Sequence, residues 1–139
     1  MRDYLLDSNV VSELTRDAPN PRVVAFLSGH AELWLSAIVV HELEFGLALL
    51  PPGRRREAID AALRSLEALY EDRILALGRA EAARAAALRA RARRSGRVLD
   101  LGAALIAGTA DAHGLAVATR NVRDFEGLGL DLADPWAGG

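Results

Sequence analysis

Tyr4-Leu5-Leu6-Asp7-Ser8-Asn9-Val10-Val11 decides the fold class. Three apolar residues run straight into an Asp-Ser-Asn group, and apolar residues return at Val10, Val11 and Leu14. A short apolar run closed by polar residues reads as a buried strand, and the spacing after it reads as a helix. The same alternation continues outward. Residues 18–22, with two prolines and an Asn, read as a loop, 23–28 as a helix and 33–36 as a second strand. A helix over 38–50 stops at Pro51-Pro52-Gly53. A helix over 54–71 precedes a short strand at 74–77, and the Ala/Arg-rich 80–94 is strongly helix-forming. A helix over 101–112 leads to a strand at 115–119, a polar turn or helix start at 120–125, and a last strand at 130–132. Strands that alternate with helices predict an α/β sandwich with a mostly parallel sheet. With no internal repeat and 139 residues, one domain over 1–139 is expected.

Composition excludes several chemistries. The chain is 51% hydrophobic and 26% charged, as globular chains are. It has no Cys, so no disulfide framework, thiolate metal site or thiol nucleophile. All 17 basic residues are Arg, which removes Schiff-base and P-loop lysine mechanisms. A net charge of -2 and a pI near 5.9 do not describe a polybasic nucleic-acid coat. No apolar run approaches the roughly 20 residues of a membrane span, and the apolar run before Asp7 is too short for a signal peptide. A cytoplasmic protein is expected.

The chemistry must therefore come from acids. The three His residues, 30, 41 and 113, are scattered, and there is no glycine-rich phosphate loop or Gly-x-Ser-x-Gly elbow. Asp7 closes the first strand, where ligands of parallel α/β sheets collect. It is suited either to holding a divalent cation or to capping the following helix. Glu42, in Val40-His41-Glu42-Leu43-Glu44-Phe45-Gly46, lies beside an apolar face marked by Ile38, Val39, Leu43 and Leu47. Thr119-Arg120-Asn121-Val122-Arg123-Asp124-Phe125 gathers Thr, Asn and Asp at another strand end, as a site or as a capped turn.

Taken together, Leu5 to Glu13, Ser36 to Gly46, Leu105-Ile106-Ala107, Thr119 to Phe125 and Asp134-Pro135-Trp136 resemble a PIN-domain ribonuclease. They are most similar to the VapC/FitB-type toxins of toxin–antitoxin modules, over about residues 3–136. The resemblance implies a central, mostly parallel sheet of four to five strands flanked by helices. It implies acids at strand ends that bind Mg²⁺ or Mn²⁺, with hydrolysis of RNA by a metal-activated water. Such hard ions take oxygen ligands and acidify water, so no His or Lys is needed. The first acid maps to Asp7 and the second to Glu42. The fourth falls at Asn121 or Asp124, with Ser8 and Thr119 as polar supports.

The third acid is missing. The pattern places an Asp three residues before Ile106, and Ala103 stands there. Asp100 is the nearest acid, but one helical turn of about 5 Å separates the two positions. Three readings stand: Asp100 substitutes, at the cost of rebuilding the loop; the chain is a natural inactive PIN domain that only binds; or Ala103 is an engineered replacement that inactivates the chain, the reading favoured because every other motif is intact. A haloacid-dehalogenase-like phosphatase also uses an Asp after its first strand. It needs Asp-x-Asp and a Lys, whereas here Asn9 is the third residue and Lys is absent.

RNA must reach an acidic pocket, so local Arg is expected to contact it. Arg120 and Arg123 adjoin the Thr-Arg-Asn element, and 54–56 and 89–97 are further clusters. Aromatics are only 5%, which favours reading RNA shape and backbone over base stacking; transfer or ribosomal RNA is what the resemblance implies. The resemblance implies a homodimer, a cognate antitoxin that blocks the site, a larger toxin–antitoxin assembly, and DNA contact only through the antitoxin.

Overall fold

The structure is a computed structural model that describes residues 3–29 and 32–137; His30 lies outside the described residues. Strand β1 (Tyr4–Leu6) passes directly into helix α1 (Ser8–Glu13), and α2 (Pro21–Ser28) leads to β2 (Leu33–Ser36). Asn20 caps α2 through Arg22 N at 2.9 Å, with Pro21 in the first turn, where its missing N–H costs nothing. Helices α3 (Ala37–Leu49) and α4 (Arg54–Leu69) precede a 3-10 turn at Glu71–Arg73 and β3 (Ile74–Leu75). Helices α5 (Arg79–Arg94) and α6 (Leu101–His113) then return the chain to β4 (Ala116–Ala118). The short α7 (Val122–Phe125) and β5 (Leu132–Ala133) complete the order.

The five strands form one all-parallel sheet in the order β3-β2-β1-β4-β5. Leu6 pairs with Ala118, so the residues after them, Asp7 and Thr119, emerge side by side. The chain runs outward to one side from β1 and to the other from β4. The crevice at their carboxyl ends is therefore the topological switch point, where parallel α/β sheets hold ligands. Leu5, Leu6, Val117 and Ala118 are fully buried, as strands covered on both faces must be.

The expected elements are present, and the differences lie at the sheet edges. The helix expected to reach residue 71 ends at Leu69, and the strand expected over 74–77 is two residues long. The last strand falls two residues later than its apolar run. Its place is set by Val117 N donating to Asp131 O and Thr119 N to Ala133 O, both at 2.9 Å. Each edge strand is bounded by its neighbour's backbone groups and not by its own hydropathy. No helix among the described residues is long and apolar enough to cross a membrane.

Helices α5 and α6 approach closely at one point. A Cβ on Gly108 would lie 2.4 Å from Ala85 N and 2.6 Å from its Cα. Backbone cannot yield there as a flexible side chain would. Gly108→Ala is expected to lower unfolding free energy by about 1–3 kcal/mol, and Gly108→Val by more. Urea denaturation followed by circular dichroism measures this; an unchanged midpoint would contradict the close approach.

Candidate active site

The end of β1 is fixed by its own polar residues. Asp7 is buried, and its two carboxylate oxygens have different partners. Oδ1 accepts from Ser8 N at 2.8 Å. Oδ2 accepts from Thr119 Oγ1 at 2.7 Å and from Asn9 Nδ2 at 3.3 Å. Thr119, fully buried, accepts in turn from Asn121 N at 3.0 Å. Asn9 Oδ1 accepts from Arg120 N at 3.2 Å. Asp7 thus engages the first turn of α1 with both oxygens and, through Oδ2, also Thr119 just past the end of β4. The choice between a cap and a site residue, open in the sequence, is one that the geometry does not force.

A cavity of about 510 Å³ opens beside this network. Asp7, Ser8, Glu42, Ala103, Asn121 and Asp124 all line it, drawn from β1, α3, α6 and α7. Glu42 and Glu44, indistinguishable in type, separate clearly. Glu42 lines the cavity, while Glu44 pairs with Arg64 at 2.6 Å, a contact that holds its carboxyl below the usual range. Arg120 and Arg123 do not line the cavity. Arg120 lies over the Trp136 ring at 5.0 Å, and the Arg123 carbonyl accepts from Arg97 at 3.0 Å. Arg97 also donates to the carbonyls of Asp124 and Glu126, so it braces the end of α7. The Arg that does line the cavity is Arg55 on α4. Of the two described His residues, His41 stacks on Phe45 and His113 pairs with Glu81 at 2.8 Å, so neither serves the cavity.

Asn9 and Asp100 are the residues that motif reading missed or discounted. Asn9 is the polar residue two after Asp7, and its signal is that an amide can bridge two strand ends. Asp100 lines the cavity with the other acids.

The site is electrostatically strained. Burial raises the Glu42 pKa above its ordinary 4.5, and the charges of Asp7 and then Asp100 raise it further, against the Ser8 hydroxyl and His41. Glu42 Oε1 is buried without a hydrogen-bond partner. Among the described residues no three acidic or His side chains converge as a ready-made metal cage. The donor set nevertheless fits a hard cation that takes one or two carboxylates and keeps several waters. An orphaned carboxylate oxygen on a wall shared with Asp7 and Asp124 is the position such a cation would satisfy.

Similarity to known proteins bears on that geometry. The family model described as PIN domain matches residues 4–129. The chain belongs to the PIN-domain family. This PIN domain is 42% identical to VapC ribonuclease Y4jK of Sinorhizobium fredii, over 95% of the chain and 96% of that protein. It is 38% identical to Toxin FitB of Neisseria gonorrhoeae, over 95% of the chain and 97% of that protein. Among solved structures it is similar to FitAcB from Neisseria gonorrhoeae, with a TM-score of 0.88, 38% identity, and 96% and 98% of the two chains covered. The structure of FitAB bound to a DNA fragment gives a TM-score of 0.89 at 36% identity, covering 96% and 95%.

The raised Glu42 pKa has a measurable consequence. The folded chain keeps this proton to a higher pH than the unfolded chain does. The associated stability is full below about 4.5 and declines as pH rises through the folded value. Glu42→Gln is therefore expected to raise the metal-free melting temperature at pH 7, with the gain fading below pH 4.5. Thermal unfolding in chelator across that range tests this; a gain that grows toward acid pH would contradict it.

Proposed function

We propose that this PIN domain is the toxin of a toxin–antitoxin module and acts as an endoribonuclease dependent on Mg²⁺ or Mn²⁺. The observation that carries the reading is that Asp7, Glu42 and Asp124 line one cavity at the β1–β4 switch point, with Glu42 Oε1 buried and unpartnered. Asp7 and Glu42 would hold the cation, with Asp124 and Asn121 opposite. A cation so bound supplies an acidified water and offsets charge on the phosphoryl oxygens. The chain's own groups do the rest. Thr119, Asn9 and Ser8 fix the Asp7 carboxylate, so its direction is set before substrate arrives. Arg55 presents a planar fork on the cavity wall suited to a phosphate of the RNA backbone. Arg120, exposed and stacked on Trp136, offers a second such contact beside the site.

The proposed substrate is structured RNA read by shape, since few aromatics are present to stack on bases; the family resemblance points to transfer or ribosomal RNA. Relatives named ribonuclease and toxin support this assignment. Solved relatives described as FitAcB, and as FitAB bound to DNA, support a cognate antitoxin that carries the DNA contact. The apolar residues of α3 and α4 that could form a partner surface mostly point inward. Leu47 and Leu63 are buried, and Leu43 and Leu66 are partly buried. Phe45, Leu49 and Leu69 are exposed instead, and are the surface proposed for a homodimer or for the antitoxin. The whole chain would act as one domain, in the cytoplasm.

A second reading, a natural binding module without activity, is favoured by one observation, the methyl group at Ala103 on the cavity wall. It stands only if no other carboxylate reaches the space that Ala103 leaves.

Purified chain is expected to cut structured RNA with Mn²⁺ or Mg²⁺ and to stop in chelator. Asp7→Asn should lower cleavage by roughly 100-fold or more, since losing even an outer partner of a ligand costs about 10–100-fold. Arg55→Ala should weaken substrate binding and flatten its salt dependence. Gel assays on transfer and ribosomal RNA read all three. Cleavage that survives chelator, or turnover of small phosphate esters without RNA cleavage, would sink the proposal.

A further inference from the structure

The missing carboxylate at position 103 has a neighbour whose placement the linear sequence disguises. Asp100 is the N-cap of α6. An N-cap side chain does not stay at its own level of the helix. It folds back over the first turn so that its oxygen meets the N–H three residues on. Here Asp100 Oδ2 accepts from Ala103 N at 3.4 Å, so its carboxylate lies beside the residue that lacks one. The axial offset of about 5 Å between Cα positions one turn apart is thus not the separation that matters for the carboxylate.

Two further observations point the same way. Asp100 and Ala103 line the same cavity as Asp7 and Glu42. Between them Gly102 leaves a gap: a Cβ there would sit 3.2 Å from Asp100 Oδ2 and 3.4 Å from Glu42 Oε2. Two carboxylate oxygens therefore face one small space with no side chain between them. The other oxygen of that Glu42, Oε1, is the buried atom without a hydrogen-bond partner. Like charges set this close are stabilised by a cation and otherwise repel.

We infer that Asp100 serves as the third acid of the cation site, reaching from the N-cap of α6 into the space left by Gly102 and Ala103 beside Glu42. The inference rests on the metal-dependent reading of the cavity. It replaces the expectation of a disarmed chain with that of a site whose third ligand has moved three residues along the sequence but only a short distance in space. The oxygen facing this space, Oδ2, is also the one that accepts from Ala103 N; a carboxylate oxygen has two lone pairs, so the cap is retained while its second lone pair and the whole of Oδ1 stay available.

Mn²⁺ binding to the full chain, measured by titration calorimetry and by the electron paramagnetic resonance of free Mn²⁺, tests this without reference to turnover. Asp100→Asn is the informative variant because Asn caps a helix about as well as Asp. It should keep the urea midpoint of the metal-free chain while weakening Mn²⁺ at least about tenfold. The double variant Asp100→Asn, Ala103→Asp should recover the affinity, since both positions would feed one ligand place. If Asp100→Asn binds Mn²⁺ as the unmodified chain does while Asp7→Asn does not, the role of Asp100 is overturned and the site reading survives. If the double variant stays weak, the claim that 100 and 103 share one ligand place is overturned. If the unmodified chain takes up no Mn²⁺, the metal-dependent reading fails and this inference fails with it.

Discussion

The hydrogen bond from Thr119 Oγ1 to Asp7 Oδ2, at 2.7 Å, joins the carboxyl ends of β1 and β4 where the sheet changes direction. A parallel sheet must bring its chain back by helical crossovers, and those crossovers diverge on either side of β1 and β4. The divergence leaves a crevice that backbone alone cannot fill. A buried carboxylate there needs donors, and Thr119, Asn9 and Ser8 N provide them. Because Leu6 pairs with Ala118, a slip in that register would separate Asp7 from Thr119 and undo the network. The site and the sheet therefore depend on the same alignment.

Charge is divided according to position. Acids gather in the cavity, where burial and mutual repulsion raise Glu42. The Arg residues, though identical in type, have separate tasks set by their surroundings. Arg64 ties α3 to α4 by reaching Glu44, Asp60 and Glu67. Arg97 braces the carbonyls at the end of α7, which carries Asp124. Arg84 reaches Asp111 from α5 to α6. Among the described residues, Arg55 is the one Arg that lines the cavity. A net charge of -2 averages over this separation and so hides it.

Much of the fold was legible because its signals are local. Apolar runs, Pro-rich breaks and capping residues report on their own neighbourhoods, and β1, β2, β4 and the long helices follow from them. The edge strands were not, since Ile74–Leu75 and Leu132–Ala133 are bounded by the backbone groups of β2 and β4. Among candidate site residues, Asp7, Glu42, Asn121 and Asp124 could be picked from type and place at strand or helix ends. Arg120 and Arg123 adjoin the site in sequence, yet neither lines the cavity, and Arg120 lies over the Trp136 ring beside it. Asp100 was weighed as a substitute and set back, because its distance was reckoned along the helix and not at its side chain.

By itself the amino-acid sequence determined the alternation of strand and helix, the all-Arg basic set and the reliance on carboxylates, because each follows from residue type and near-neighbour pattern. Only the tertiary structure decided which carboxylates meet. It turned Glu42 inward and Glu44 outward, and brought Thr119 across to Asp7. It also folded the Asp100 side chain back over Ala103. The physical reason is that a site is made by side-chain direction and strand register, and both are fixed by packing between segments far apart in the chain.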